Sequence, residues 1–122
     1  MPTILIIEDA KDIRILLAHL LETSGYRVVQ AEDGETGFRL WQEHRPDLVI
    51  TDLVMPGMDG LDIIRQIRIA DGRAKVIAMS GAGYRGNINL LEEAARLGAV
   101  GTIPKPFNIN EVLKLVKDLL GA

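Results

Sequence analysis

The chain has 122 residues, 14 Lys and Arg against 17 Asp and Glu, a formal net charge of -3 and no cysteine. A chain of this length suits one compact domain that folds without staples or a structural metal, and the lack of cysteine excludes disulfides and thiolate metal sites. The mild acidity argues against a dedicated nucleic-acid surface, no apolar run is long enough to span a membrane, and the N-terminus lacks the cationic region and cleavage site of a signal peptide. The sequence therefore reads as one soluble, cytoplasmic domain over residues 1–122, with neither nucleic acid nor membrane as a partner.

Apolar runs alternate with helical periodicity along the whole chain. Ile4-Leu5-Ile6-Ile7 is continuous, as in a strand buried on both faces. Ile13, Leu16, Leu17, Leu20 and Leu21 then recur at helical spacing, and Gly25 supplies a stop. Val28-Val29 is a short second strand, and Asp33-Gly34 turns into a helix with Phe38 and Trp41 that Pro46 ends. Leu48-Val49-Ile50 is the third strand, running into Thr51 and Asp52. Asp59 can cap a helix bearing Ile63, Ile64 and Ile67, and Val76 to Met79 is the fourth strand. Ile88, Leu91, Ala94 and Ala95 mark a fourth helix closed by Gly98, with Leu90 off that stripe and exposed. Val100 to Ile103 is the fifth strand. Asn108, with Glu111 three residues later, opens a last helix with Val112, Leu113, Val116, Leu119 and Leu120.

Five β-α units at this spacing predict an α/β fold with a five-stranded parallel sheet and helices on both faces. The absence of G-x-G-x-x-G after the first strand favours the flavodoxin-like order 2-1-3-4-5 over the dinucleotide-binding order. The chain then reverses direction beside strand 1, and a crevice opens at the carboxyl ends of strands 1 and 3. Glu8 and Asp9 end strand 1 and Asp52 ends strand 3, so three carboxylates converge where such folds bind ligands.

Taken singly, Glu8 or Asp9 would only open a loop and cap a helix, Ser80 would be a turn residue and Lys105 a solvated cation. Together they suit one chemistry. Three neighbouring carboxylates raise a pKa or bind a cation, and an all-oxygen set without His or Cys suits Mg²⁺. A phosphoryl group on Asp52 would carry about two negative charges. Lys105, after strand 5, and Ser80, after strand 4, open on the same sheet edge and supply an ammonium and a hydroxyl for its oxygens. Asp52 is then the nucleophile, forming an acyl phosphate. Pro106 after Lys105 is expected to hold a cis peptide. Gly81, Gly83 and Gly86 lack phosphate-loop spacing and read as a mobile segment or a close approach to the phosphoryl group.

Ile4 to Asp9, Asp47 to Gly60, Met79-Ser80-Gly81 and Lys105-Pro106-Phe107, in that order and at these spacings, resemble the receiver domains of two-component response regulators, the chemotaxis-regulator type included. The resemblance implies a (βα)₅ fold, Mg²⁺ dependence with Mn²⁺ able to substitute, and a metal site of Glu8, Asp9, Asp52 and the backbone carbonyl of Val54. It implies phosphotransfer from a histidine kinase or phosphotransfer protein to Asp52, and a downstream protein contacted through the fourth helix, fifth strand and fifth helix. One position departs from the family: Thr102 stands where receivers carry the Tyr or Phe that swings inward with the Ser or Thr. The expectation is that phosphorylation moves the segment from Ser80 to Asn89 more than strand 5.

Other functions fit less well. A phosphatase of the haloacid-dehalogenase type needs a second Asp two residues after its nucleophile, where this chain has Val54, so the chain is read as no enzyme beyond its own phosphorylation and slow dephosphorylation. Glu8-Asp9-Ala10 would repel the phosphate of a flavin. A degenerate receiver would lack some of the five functional positions, and all five are filled. The reading leaves open a stand-alone receiver or one cut from a larger regulator or hybrid kinase.

Overall fold

The computed structural model describes residues 1–81 and 84–121, with Tyr84 described by its backbone alone. Five strands and five helices follow the alternation: β1 (Thr3–Ile7), α1 (Lys11–Thr23), β2 (Arg27–Ala31), α2 (Gly34–His44), β3 (Leu48–Asp52), α3 (Gly60–Ala70) and β4 (Val76–Ser80), then α4 (Leu90–Leu97), β7 (Gly101–Pro104) and α5 (Ile109–Leu120). Between β4 and α4 lies a two-residue antiparallel pair, β5 (Tyr84–Arg85) and β6 (Ile88–Asn89), that the sequence reading did not include. The main sheet is parallel, in the order β2-β1-β3-β4-β7, which is the expected 2-1-3-4-5 with β7 as the fifth sheet strand.

The sheet divides two apolar layers. Leu5, Ile7, Val49, Val76 and Ala78 point toward α2, α3 and α4, meeting Trp41, Ile63, Ile64, Ile67 and Ala94. Ile4, Ile6, Leu48, Ile50, Ile77 and Met79 point toward α1 and α5, meeting Leu17, Leu21, Val112 and Val116. Alternate residues of β1, β3 and β4 thus feed opposite cores, which is why these strands read as unbroken apolar runs.

Side chains fix the starts of α2, α3, α4 and α5. Asp33 Oδ1 accepts from Thr36 N at 2.7 Å, Asp59 Oδ1 from Asp62 N at 3.1 Å and Asn89 Oδ1 from Glu92 N at 3.1 Å, and Asn108 accepts from Asn110 N and Glu111 N. The Asn89 cap corrects the reading of the fourth helix. It starts at Leu90, so Leu90, Ala94 and Leu97 form its inward stripe and Leu90 is 1% exposed, whereas Ile88 belongs to β6 and is 49% exposed. On α1 the inward face is Leu17, Ala18 and Leu21, and Leu16 is half exposed.

Candidate functional site

The carboxyl ends of β1 and β3 lie side by side because β1 pairs with β3 in register from Ile4–Leu48 to Ile7–Thr51. Glu8, one residue past β1, and Asp52, the last of β3, therefore emerge at one edge, as expected at the topological switch point. Two close approaches hold the connection after β3. A Cβ on Gly60 would lie 2.7 Å from Leu53 Cα and closer still to the Asp52 carbonyl oxygen, so only glycine lets α3 begin against the end of β3. A Cβ on Gly34 would meet the Met58 backbone in the same way, keying the start of α2 to that loop.

Glu8, Asp9 and Asp52 each offer a carboxylate oxygen, and these oxygens all lie within 4.8 Å of one another. Glu8 is fully buried, Asp52 6% exposed and Asp9 exposed. Lys105 enters from beyond β7: its Nζ donates to Glu8 Oε1 and stands 3.4 Å from Asp52 Oδ2. Ala10 N donates to Glu8 Oε2 at 3.2 Å, and the Arg14 guanidinium donates to the Glu8 carbonyl oxygen at 2.8 Å. Glu8 thus has both carboxylate oxygens and its main chain engaged, whereas Asp9 faces solvent.

Burial pushes Glu8 up to about 7 and the charge of Asp52 adds to that rise, against the opposing hydrogen bonds from Lys105 and Ala10. Burial alone would lower Lys105, but the hydrogen bond to Glu8 and the charges of Asp52 and Glu8 outweigh it and hold its pKa above the ordinary lysine value. The pocket is therefore short of positive charge: one ammonium serves two buried acids and a third lies at the rim.

Ser80 closes β4, 3% exposed, and Lys105 N donates to its carbonyl oxygen at 2.8 Å. Gly81 lies against the Lys105 stem, where a Cβ would stand 3.5 Å from Lys105 Cβ. The Lys105–Pro106 peptide is cis, as expected. Val54 N lies 3.5 Å from Asp52 Oδ1, and the Val54 side chain is 42% exposed. Thr102 faces solvent on β7. Gly83 falls outside the described residues.

The edge thus gathers Glu8, Asp9, Asp52, Ser80 and Lys105, the five positions singled out from sequence, while Thr102 stays apart from it. Sequence reasoning missed Arg14, whose place one turn into α1 gave no signal of a bond back to Glu8. It also read Asp59 as a cap alone, although Asp59 Oδ2 is held by Arg85 at 3.0 Å across 26 residues.

Residues 4–117 match the family model described as the response regulator receiver domain. The sporulation initiation phosphotransferase F of Bacillus subtilis is 37% identical over 117 residues, covering 96% of this chain and 92% of that protein. The chemotaxis protein CheY of the same organism is 35% identical over 118 residues, with 96% of each chain covered. Among solved structures, the response regulator protein TrrA from Thermotoga maritima in complex with Mg(2+)-BeF superposes with a TM-score of 0.85 at 33% identity, covering 98% of this chain and 99% of that one.

Proposed function

This chain belongs to the response regulator receiver domains, the phosphorylation-dependent switches of two-component systems, and from that membership we propose that Asp52 accepts a phosphoryl group from a histidine kinase or phosphotransfer protein. The observation that carries this reading is the meeting of Glu8, Asp9 and Asp52 within 4.8 Å, with Lys105 within ion-pair reach of Glu8 and Asp52. An all-oxygen, charge-deficient pocket fits Mg²⁺, with Mn²⁺ as a substitute. Asp9, Asp52, Glu8 and the Val54 carbonyl would hold the ion, which supplies positive charge for the phosphoryl oxygens. The Mg(2+)-BeF bound by the TrrA relative supports this fit.

In the transfer, a carboxylate oxygen of Asp52 attacks phosphorus, the new O–P bond forms as the P–N bond of phosphohistidine breaks, and the imidazole leaves with the bonding pair and takes up a proton. The chain's own groups act by position and charge. Lys105 stands 3.4 Å from Asp52 Oδ2 and follows the transferred charge onto a phosphoryl oxygen, and the Ser80 hydroxyl donates to another. Val54 offers no acid or base beside the acyl phosphate, so hydrolysis is slow and the chain acts as a switch, catalysing only its own phosphorylation and slow dephosphorylation.

Residues 1–122 form a single receiver domain, acting in the cytoplasm; among the described residues no helix is long and apolar enough to cross a membrane. A downstream protein is contacted on the face of α4, β7 and α5. Thr102, exposed on β7, is too small to fill an aromatic pocket, so the change runs through Ser80 to Asn89. Intact-mass measurement after incubation with acetyl phosphate and Mg²⁺ tests the acceptor: one added phosphoryl group is expected on wild type and none on Asp52→Asn. No addition to wild type would sink the reading. Backbone chemical shifts with and without beryllofluoride test the route, and larger changes at Thr102 than between Gly81 and Asn89 would count against it.

A further inference from the structure

Helices α2, α3, α4 and α5 each start on a side-chain cap, Asp33, Asp59, Asn89 and Asn108. α1 does not: Ala10 stands at its cap position and offers no side chain to the first amides. The turn from β1 to α1 is Glu8, Asp9 and Ala10, and its two acids belong to the pocket. Arg14 holds that turn. Its amide donates to the Ala10 carbonyl at 3.0 Å, and its half-buried guanidinium donates back to the Glu8 carbonyl at 2.8 Å. Arg14 therefore grips the main chain on both sides of Asp9.

Of the three acids, Asp9 depends most on such a hold. The Glu8 amide donates to the Ala31 carbonyl at 3.0 Å, and its carboxylate accepts from Lys105 and from the Ala10 amide. Asp52 is the last residue of β3 and is nearly buried. Asp9 is exposed, and among the described residues its carboxylate has no hydrogen bond or ion pair. Its direction is set by its backbone. The Glu8 carbonyl and the Asp9 Cα lie in one peptide plane, so a charge-assisted bond to that carbonyl fixes where the Asp9 side chain leaves the chain. Among the described residues Arg14 has no carboxylate partner, so no ion pair competes for its guanidinium.

We propose that Arg14 is a positioning residue for a divalent cation: its bond to the Glu8 carbonyl holds Asp9 beside Glu8 and Asp52, so that three acids are presented together rather than two. This rests on the metal reading above. One N–H on one carbonyl oxygen calls for a donor rather than for the planar fork of arginine, so Lys can replace Arg14, whereas Met, which keeps the apolar stem, cannot.

The test is a Mg²⁺ titration of the whole chain followed by backbone amide spectra, with metal-free thermal melts alongside. Arg14→Met is expected to weaken Mg²⁺ binding by about tenfold, the lower end of the range for a residue that orients a metal ligand, and Arg14→Lys to recover most of that loss. Asp33→Ala removes the cap of α2 and lowers stability, and its Mg²⁺ affinity should match wild type. A merely structural role for Arg14 would show in the melts and leave the affinity in place. Should Arg14→Met not fold, Arg14→Gln, with a shorter side chain, takes its place with the same expectations. Wild-type affinity in the Met variant, an equal loss in Asp33→Ala, or no recovery in Arg14→Lys overturns this inference, while Mg²⁺ binding by wild type leaves the metal reading standing. No Mg²⁺ binding by wild type overturns both.

Discussion

Gly60→Ala tests how the start of α3 sets the position of Asp52. An added Cβ would lie 2.7 Å from Leu53 Cα and 2.9 Å from the Asp52 carbonyl carbon, with the carbonyl oxygen nearer still. All three are backbone atoms of the strand end, and no flexible side chain can absorb the overlap. Ordinary contact begins near 3.4 Å, so α3 and the end of β3 must separate by the better part of an ångström. Overpacking of this kind costs about 1–3 kcal/mol. The better helix propensity of Ala returns less than about 1 kcal/mol at a first-turn position. The net loss of about 1–2 kcal/mol lowers the melting temperature by roughly 4–8 °C for a domain of this size. Gly72→Ala is the control, because nothing lies within 4 Å of its added Cβ and no positive φ is required there. It should be neutral or stabilising by up to about 1 kcal/mol. Thermal melts by circular dichroism, paired with acetyl phosphate labelling, decide the matter. If Gly60→Ala melts with wild type and labels at the same rate, the close approach does not fix the position of Asp52.

Three further outcomes follow from the same geometry. Glu8 is raised from 4.5 to about 7, so the folded state keeps a proton that the unfolded state has lost, and stability falls as pH rises between these values when divalent cations are absent. Chemical denaturation of wild type and Glu8→Gln from pH 4.5 to 8 should therefore show the Gln variant gaining on wild type by up to about 3 kcal/mol, and parallel profiles would contradict this. Lys105→Met removes the ammonium shared by Glu8 and Asp52 and is expected to slow labelling by acetyl phosphate by about tenfold or more, read by intact mass over time. Asp33→Ala removes the acceptor for Thr36 N and should cost about 1 kcal/mol in urea unfolding, with labelling of Asp52 unaffected.

The sheet was legible because β1, β3 and β4 are buried on both faces and leave unbroken apolar runs. The convergence of Glu8, Asp9 and Asp52 followed from strand order alone, since a parallel sheet brings strand ends to one edge whatever the loops do. The fourth helix was misread by two residues. Asn89 is an effective cap, but Ile88 before it imitates the helical stripe, and only the cap bond shows where the helix starts. The hairpin at 84–89 left no signal because two paired residues per strand are too few to show alternation. Contacts between singled-out residues were harder to read than their identities. Lys105 was assigned to a phosphoryl oxygen, and its hold on Glu8 rests on a side-chain reach that spacing does not encode. Arg14 and Arg85 were invisible for the same reason.

The Lys105–Glu8 pair joins residues 97 positions apart, and this bears on how the chain is made. During synthesis Glu8, Asp9 and Asp52 all leave the ribosome before Lys105 exists. Pairing of β1 with β3 can bring the three acids to one edge, but the cation that offsets their mutual repulsion arrives only with the chain beyond β7. On the proposed reading, a nascent chain therefore carries Asp52 without Lys105, and competence for phosphoryl transfer arrives with the last strand.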